Sequence, residues 1–188
     1  MKILLIVILF VFTDISIRAQ DKILFSSKNY VGLLEGEDGS QFQLQTINGF
    51  NYKAWFVGLG TGLDWYYQRT IPLFASLNRD FLKKEKRNFY LSADGGINFP
   101  WQNNNYYYEW GYGDGKFYPG FYWSAGLGYK MGLGKNADAL LMHLGYSYKQ
   151  LAEKVVTVLP CFNPPCPEST DRFDFRLRRL SLKVGWSF

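Results

Sequence analysis

The chain has 188 residues, 19% of them aromatic, with 19 glycines, two cysteines, one histidine and a formal net charge of +5. That length accommodates one domain. The 21 basic residues are scattered among turns and alternating segments, with no basic patch or recognisable binding module, which excludes a nucleic-acid surface.

Residues 1–19 have the composition of a secretory signal peptide. Met1-Lys2 is a short basic start, Ile3 to Phe12 is an unbroken apolar run, and small Ala19 precedes Gln20 at a cleavage site. A membrane anchor is the competing reading, but the run falls short of the ~20 residues a spanning helix needs. Cleavage leaves 20–188 as the mature domain. No second long apolar segment follows to stop an exported chain at the inner membrane.

Side chains on a strand alternate faces, and eight segments follow that rule. The first two are expected near Asn29–Gly36 and Gln41–Asn51. The third, near Trp55–Tyr67, is the clearest internal case. Trp55, Val57, Leu59, Thr61, Leu63 and Trp65 share one face, and Phe56, Gly58, Gly60, Gly62, Asp64 and Tyr66 the other. Eleven residues from Trp to Trp match the ~9–11 of a tilted spanning strand with a belt residue at each interface. The fourth (Thr70–Phe81) turns Ile71, Leu73, Ala75 and Leu77 outward. The fifth (Asn88–Phe99) turns Phe89, Leu91, Ala93, Ile97 and Phe99 outward, against Tyr90, Ser92, Asp94, Gly96 and Asn98. The sixth, continuous over Phe117–Leu133, sets Phe121, Trp123, Ala125, Leu127, Tyr129 and Met131 against Ser124, Gly126, Gly128 and Lys130. The seventh (Ala139–Leu151) sets Leu140, Met142, Leu144, Tyr146 and Tyr148 against His143, Gly145, Ser147 and Lys149. The eighth (Phe175–Phe188) ends with Leu180, Leu182, Val184, Trp186 and Phe188 on one wall and Ser181, Lys183, Gly185 and Ser187 on the other.

These segments predict an all-β, eight-stranded antiparallel up-and-down transmembrane β-barrel. Lys83–Arg87 and Gly134–Asp138 are short connections, whereas Trp101–Lys116 and Ala152–Arg172 are long. Barrels in bacterial outer membranes have short periplasmic turns and long extracellular loops, and the alternation fits with both chain ends in the periplasm. A soluble lipocalin-like barrel would face the other way, with its apolar wall inside. The polar walls here are rich in Gly, Ser and charge, which suits the filled interior of eight strands. The bulky Leu, Trp, Phe and Tyr walls suit lipid. The sequence therefore predicts that Asp64, Asp94, Lys130, Lys149, Arg179 and Lys183 meet in the lumen. There they must pair, because buried charge without a partner is costly. A structural plug is the expected result, and a narrow ion path the alternative.

Between the fifth and sixth strands, Tyr106, Tyr107, Tyr108, Trp110 and Tyr112 stand among Asn and Gly. Aromatics give rigid contact area and small polar residues adapt, so this loop is either a surface for a protein or glycan partner or a girdle continued above the membrane. Cys161 and Cys166 bracket Phe162-Asn163-Pro164-Pro165. An exported chain meets an oxidising compartment, so a disulfide is expected. Two thiolates are too few for a structural zinc site, which takes four ligands. No metal, cofactor or catalytic constellation is predicted. His143 is inward-facing and is read as an interior side chain.

The final strand, through Leu182, Val184, Trp186 and Phe188, resembles the C-terminal strand by which the barrel assembly machinery recognises bacterial outer-membrane barrels. Tyr30-Val31-Gly32-Leu33-Leu34-Glu35-Gly36, Thr46-Ile47-Asn48-Gly49-Phe50 and Gly58-Leu59-Gly60-Thr61-Gly62-Leu63-Asp64-Trp65-Tyr66 resemble Bacteroidota members of the outer-membrane β-barrel domain group. The mature chain as a whole looks like the small barrels of the OmpA-transmembrane and OmpX type. The resemblance implies the cell outer membrane, outer-membrane lipid as surroundings, and a structural or interaction role through extracellular loops, with a small porin-like pore or lipophilic conduit as the alternative. It brings no peptidoglycan-binding domain. Lipid A deacylases of similar architecture place Ser two residues beyond the His. Gly145 stands there instead, so the resemblance implies no enzyme.

Overall fold

The computed structural model describes residues 23–84, 87–101, 104–108, 111–133, 138–158 and 168–188. Their strands are β1 (Leu24–Gly36), β2 (Gly39–Tyr52), β3 (Trp55–Asp64), β4 (Thr70–Lys84), β5 (Arg87–Pro100), β6 (Asn104–Tyr108), β7 (Gly111–Tyr118), β8 (Gly120–Gly132), β9 (Ala139–Val158) and β10 (Glu168–Ser187). Eight of them form the wall in the order β1-β2-β3-β4-β5-β8-β9-β10, each antiparallel to its neighbours. Pairing of β10 with β1, from Lys28↔Ser187 to Gly36↔Arg179, closes the cylinder. Ser27 and Phe188 exchange backbone hydrogen bonds of 2.9 and 3.1 Å at the seam. The wall thus has no open edge to template aggregation.

Orientation follows from exposure. Leu59 is 69% exposed, Leu144 62% and Trp186 52%, while Asp64, Lys149 and Tyr122 are 0% exposed. A continuous band of exposed Leu, Ile, Val and aromatic side chains is far larger than the apolar patches that soluble monomers tolerate. Lipid is the solvent in which such a band is stable, and closed strand pairing leaves no unpaired backbone facing it. Rings gather at the band's edge: Phe25 packs on Phe50 at 5.8 Å, and Phe89 on Phe81 at 6.3 Å and Tyr129 at 5.0 Å. These five lie at the end of the barrel with the shorter connections. At the opposite end Trp123 stacks near Tyr146 and Tyr148 at 5.5 and 6.1 Å.

Four expectations are corrected. The third strand ends at Asp64 rather than Tyr67, because residues 65–69 bend into the mouth, taking Tyr66 to 1% exposure. The sixth is not continuous. Pro119 has no N–H to give the ladder, and it separates β7 from β8. Between Tyr118↔Ala152 and Tyr122↔Lys149 the strand carries four residue steps against three on β9, which is a bulge. The segments expected as long loops also contain strand: β6 and β7 form a hairpin within 104–118, and β9 and β10 pair from Ser187↔Ala139 up to Glu168↔Val158. Four strands, β6, β7, β9 and β10, therefore continue above the wall as a sheet. Finally, the lumen is not filled by small and ionic residues alone. Tyr30, Phe56, Phe74, Tyr90 and Tyr122 point inward with Ile47 and Leu141. Glycines on neighbouring strands make the room: a Cβ on Gly60 would lie 2.5 Å from the Phe74 ring, and one on Gly128 2.0 Å from Tyr90.

Candidate functional site

The upper lumen is organised around Asp64, the last residue of β3. One carboxylate oxygen lies 3.2 Å from Lys149 Nζ and accepts the Tyr66 backbone N–H at 2.8 Å. The other accepts from Arg179 Nη1. Arg179 Nη2 donates to Ser147 Oγ at 2.8 Å, and its guanidinium lies 5.4 Å from the Tyr66 ring centre. Lys149 Nζ also donates to the Tyr66 carbonyl (2.8 Å), the Gln68 carbonyl (3.1 Å) and Thr70 Oγ1 (3.2 Å). All three charged side chains are 0% exposed. The segment joining β3 to β4 is thus drawn into the mouth by carbonyls that face a buried ammonium. The Tyr66 hydroxyl, in turn, accepts from the Asp38 backbone N–H at 2.8 Å. That couples this segment to the β1–β2 turn, where Gly39 supplies the left-handed backbone with φ of 82°.

Below this group the lumen is aromatic and amide-rich. Tyr30 and Tyr90 share a hydroxyl–hydroxyl bond of 3.1 Å. Gln45 Nε2 donates to the Tyr122 hydroxyl at 3.0 Å, and its Oε1 accepts from Lys183 Nζ at 2.9 Å. Lys28 Nζ lies 3.6 Å from the Phe56 ring centre, and Asn78, turned to satisfy both ends of its amide, accepts from it at 2.6 Å.

Of the predicted lumen charges, Asp64, Lys149 and Arg179 meet. Asp94 and Lys183 are buried elsewhere: Asp94 accepts from Ser124 Oγ at 3.3 Å, and Lys183 is held by Gln45. Lys130 is only half-buried. Lys28 belongs to the interior but was missed, because the expected first strand began at Asn29. Its alternation with Tyr30 and Gly32 was the available signal. His143 Nε2 lies 2.7 Å from Ser92 Oγ, and among the described residues its Nδ1 has no hydrogen-bond partner and no carboxylate that orients the ring, the third group that an activated nucleophile uses.

Leu182, Val184, Trp186 and Phe188 all face outward, 45–56% exposed. The backbone of Tyr106, Tyr107, Tyr108 and Tyr112 lies in β6 and β7. Their side chains, together with Trp110, the pair Cys161 and Cys166, and residues 1–19, lie outside what is described.

No protein-family model matches the sequence, and no curated protein resembles it at a significant level. The fold does match solved structures. The crystal structure of Neisserial surface protein A (NspA) superposes with a TM-score of 0.50 at 13% identity, covering 88% of this chain and 95% of that one. The fold is that of a small eight-stranded outer-membrane β-barrel. The solid-state NMR structure of outer membrane protein AlkL in DMPC lipid bilayers aligns with a TM-score of 0.46 at 13% identity, over 90% of each chain.

Proposed function

We propose that this protein is an integral outer-membrane barrel with a structural or interaction role, a rigid support for the surface it presents outside the cell. The observation that carries this reading is the buried Asp64–Lys149–Arg179 group beneath residues 65–69. It fills the mouth with two cations held on one carboxylate and with the chain segment they bind. Eight strands enclose only enough space for side chains, and here that space holds a cluster of seven buried rings or aliphatic groups besides the polar ones, among them Phe74 and Tyr122 at 5.4 Å. The raised sheet of β7, β9 and β10 offers the surface on which a protein or glycan partner would act, as befits loops on a rigid scaffold. In this proposal residues 1–19 direct export, the β10 wall through Leu182 and Trp186 engages the barrel assembly machinery, and Cys161 and Cys166 form a disulfide.

The alternative is a small conduit for ions or lipophilic solutes. It draws on the buried side-chain amides of Gln43 and Asn98, which have no hydrogen-bond partner among the described residues; such groups are commonly met by water. Two measurements separate the readings. Single-channel recording in planar bilayers should give no steady conductance, and persistent large openings would reject the support role. Affinity purification from native outer membranes should recover a partner with the intact chain and lose it when residues 102–115 are replaced by a tight turn.

A further inference from the structure

The outer face of the raised sheet is cationic just where the apolar band stops. Along β10, Leu180, Leu182, Val184 and Trp186 face lipid. Continuing upward on the same face come Arg178, Arg176, Asp174 and Arg172, all exposed. Lys116, Lys154 and Arg172 are register partners across β7, β9 and β10, and all three are exposed. Like charges placed side by side on a sheet destabilise it. Among the described side chains the one carboxylate beside these five cations, Asp174, is engaged by Arg172 at 3.2 Å. Glu35, beyond β10 on β1, is occupied by Ser40 Oγ. The Pro119 bulge adds a concavity: a cleft of about 200 Å³ is lined by Pro119, Gly120, Gln150, Arg172, Asp174 and Arg176, among others.

Height selects the occupant. A strand rises about 3.4 Å per residue and barrel strands tilt about 45°. Arg178 and Arg176 therefore stand about 5 and 10 Å above Leu180 along the membrane normal. The polar layer over the hydrocarbon is about 5–8 Å thick on each side. Long basic side chains at these positions reach into that layer with their heads and leave their stems against apolar surface.

We propose that Arg176 and Arg178, at the foot of the cleft at Pro119, bind the phosphate of a phosphorylated lipid headgroup in the leaflet on the long-hairpin side. The guanidinium fork suits phosphate, which it can hold bidentately. The lipid supplies the anions that the cationic row lacks. This site rests on the membrane orientation proposed above and extends it from generic lipid to a headgroup chemistry.

The test uses the full chain in nanodiscs containing lipid A or lipid A stripped of its phosphates, with lipid retention read by native mass spectrometry. The wild-type protein should retain the phosphorylated lipid preferentially. Arg176→Gln with Arg178→Gln should weaken retention about thirtyfold, from roughly tenfold or less per surface cation. Arg79→Gln, which removes one positive charge at the opposite rim beside Trp55, should leave it unchanged. Equal retention of both lipids, or equal loss in the Arg79 variant, overturns the proposal. So does displacement of the lipid by inorganic phosphate alone, which would mean a free-anion site. A protein that fails to insert into any nanodisc would refute the membrane orientation itself, a different result from insertion without headgroup preference.

Discussion

Asp64 carries two buried cations on one carboxylate, and its geometry leaves neither with an equivalent substitute. Removing one partner of a buried ion group leaves an uncompensated charge in a medium that solvates it poorly. Asp64→Asn should therefore lower stability by about 3–5 kcal/mol, in line with broken buried pairs elsewhere. Urea unfolding of the barrel in lipid vesicles, followed by tryptophan fluorescence, measures this. A loss below a kcal/mol would mean that Lys149 and Arg179 find water instead. Two adjacent glycines provide a packing contrast. A Cβ on Gly96 would lie 2.0 Å from the Leu73 carbonyl oxygen, whereas one on Gly95 meets nothing within 4 Å. Backbone cannot yield as a side-chain tip does, so Gly96→Ala should cost about 1–3 kcal/mol as overpacking. Gly95→Ala should be close to neutral, and the same unfolding assay compares them directly.

At the scale of single elements, β10 shows how one strand serves three environments. Its lower half faces lipid, its upper outward half is cationic, and its inward face delivers Arg179 and Lys183 to the lumen. The cost of a charge on the lipid face depends on depth. Val184→Arg, near the middle of the apolar band, should destabilise by about 2–4 kcal/mol, and Leu180→Arg, beside Arg178 at its edge, by about 0–1 kcal/mol. Equal costs at both positions would contradict the placement of the band. The β7–β8 break shows the opposite behaviour, where one residue type overrides a pattern. Alternation alone made Phe117–Leu133 a single strand. Pro119 cannot donate to the ladder, and the bulge it forces changes the inward parity from odd residues, such as Phe117, to even ones, such as Tyr122 and Ser124.

The whole molecule is a closed cylinder whose upper lumen sets two cations on one carboxylate and whose lower lumen is aromatic. Lys149 ties the 65–69 segment into the mouth by bonding two of its backbone carbonyls. Lys149→Met keeps the volume of the stem and removes those bonds together with one charge. The wild type should be electrically silent in planar bilayers, and this variant should show brief openings as the segment loosens. A wild-type protein with stable conductance would contradict the plugged lumen, and a silent variant would show that Asp64 and Arg179 suffice to close it.

Period-two alternation located the eight wall strands, apart from the end of the third and the break at Pro119, and the bulk of one face against the small and ionic residues of the other said which face meets lipid. Each follows from local geometry, because a strand's two faces are defined by the chain itself. The lumen was only partly legible. Alternation says that Asp64, Asp94, Lys130, Lys149, Arg179 and Lys183 share the inside, but not their heights on the tilted strands. Stagger between strands brings Asp64 to Arg179, 115 residues away in sequence, and leaves Asp94 to Ser124. Only the closed structure decided that pairing, the inward bend of residues 65–69, and the accumulation of Lys116, Lys154 and Arg172 on one outer face. Each depends on register between strands distant in the chain, a quantity that no single strand's sequence contains.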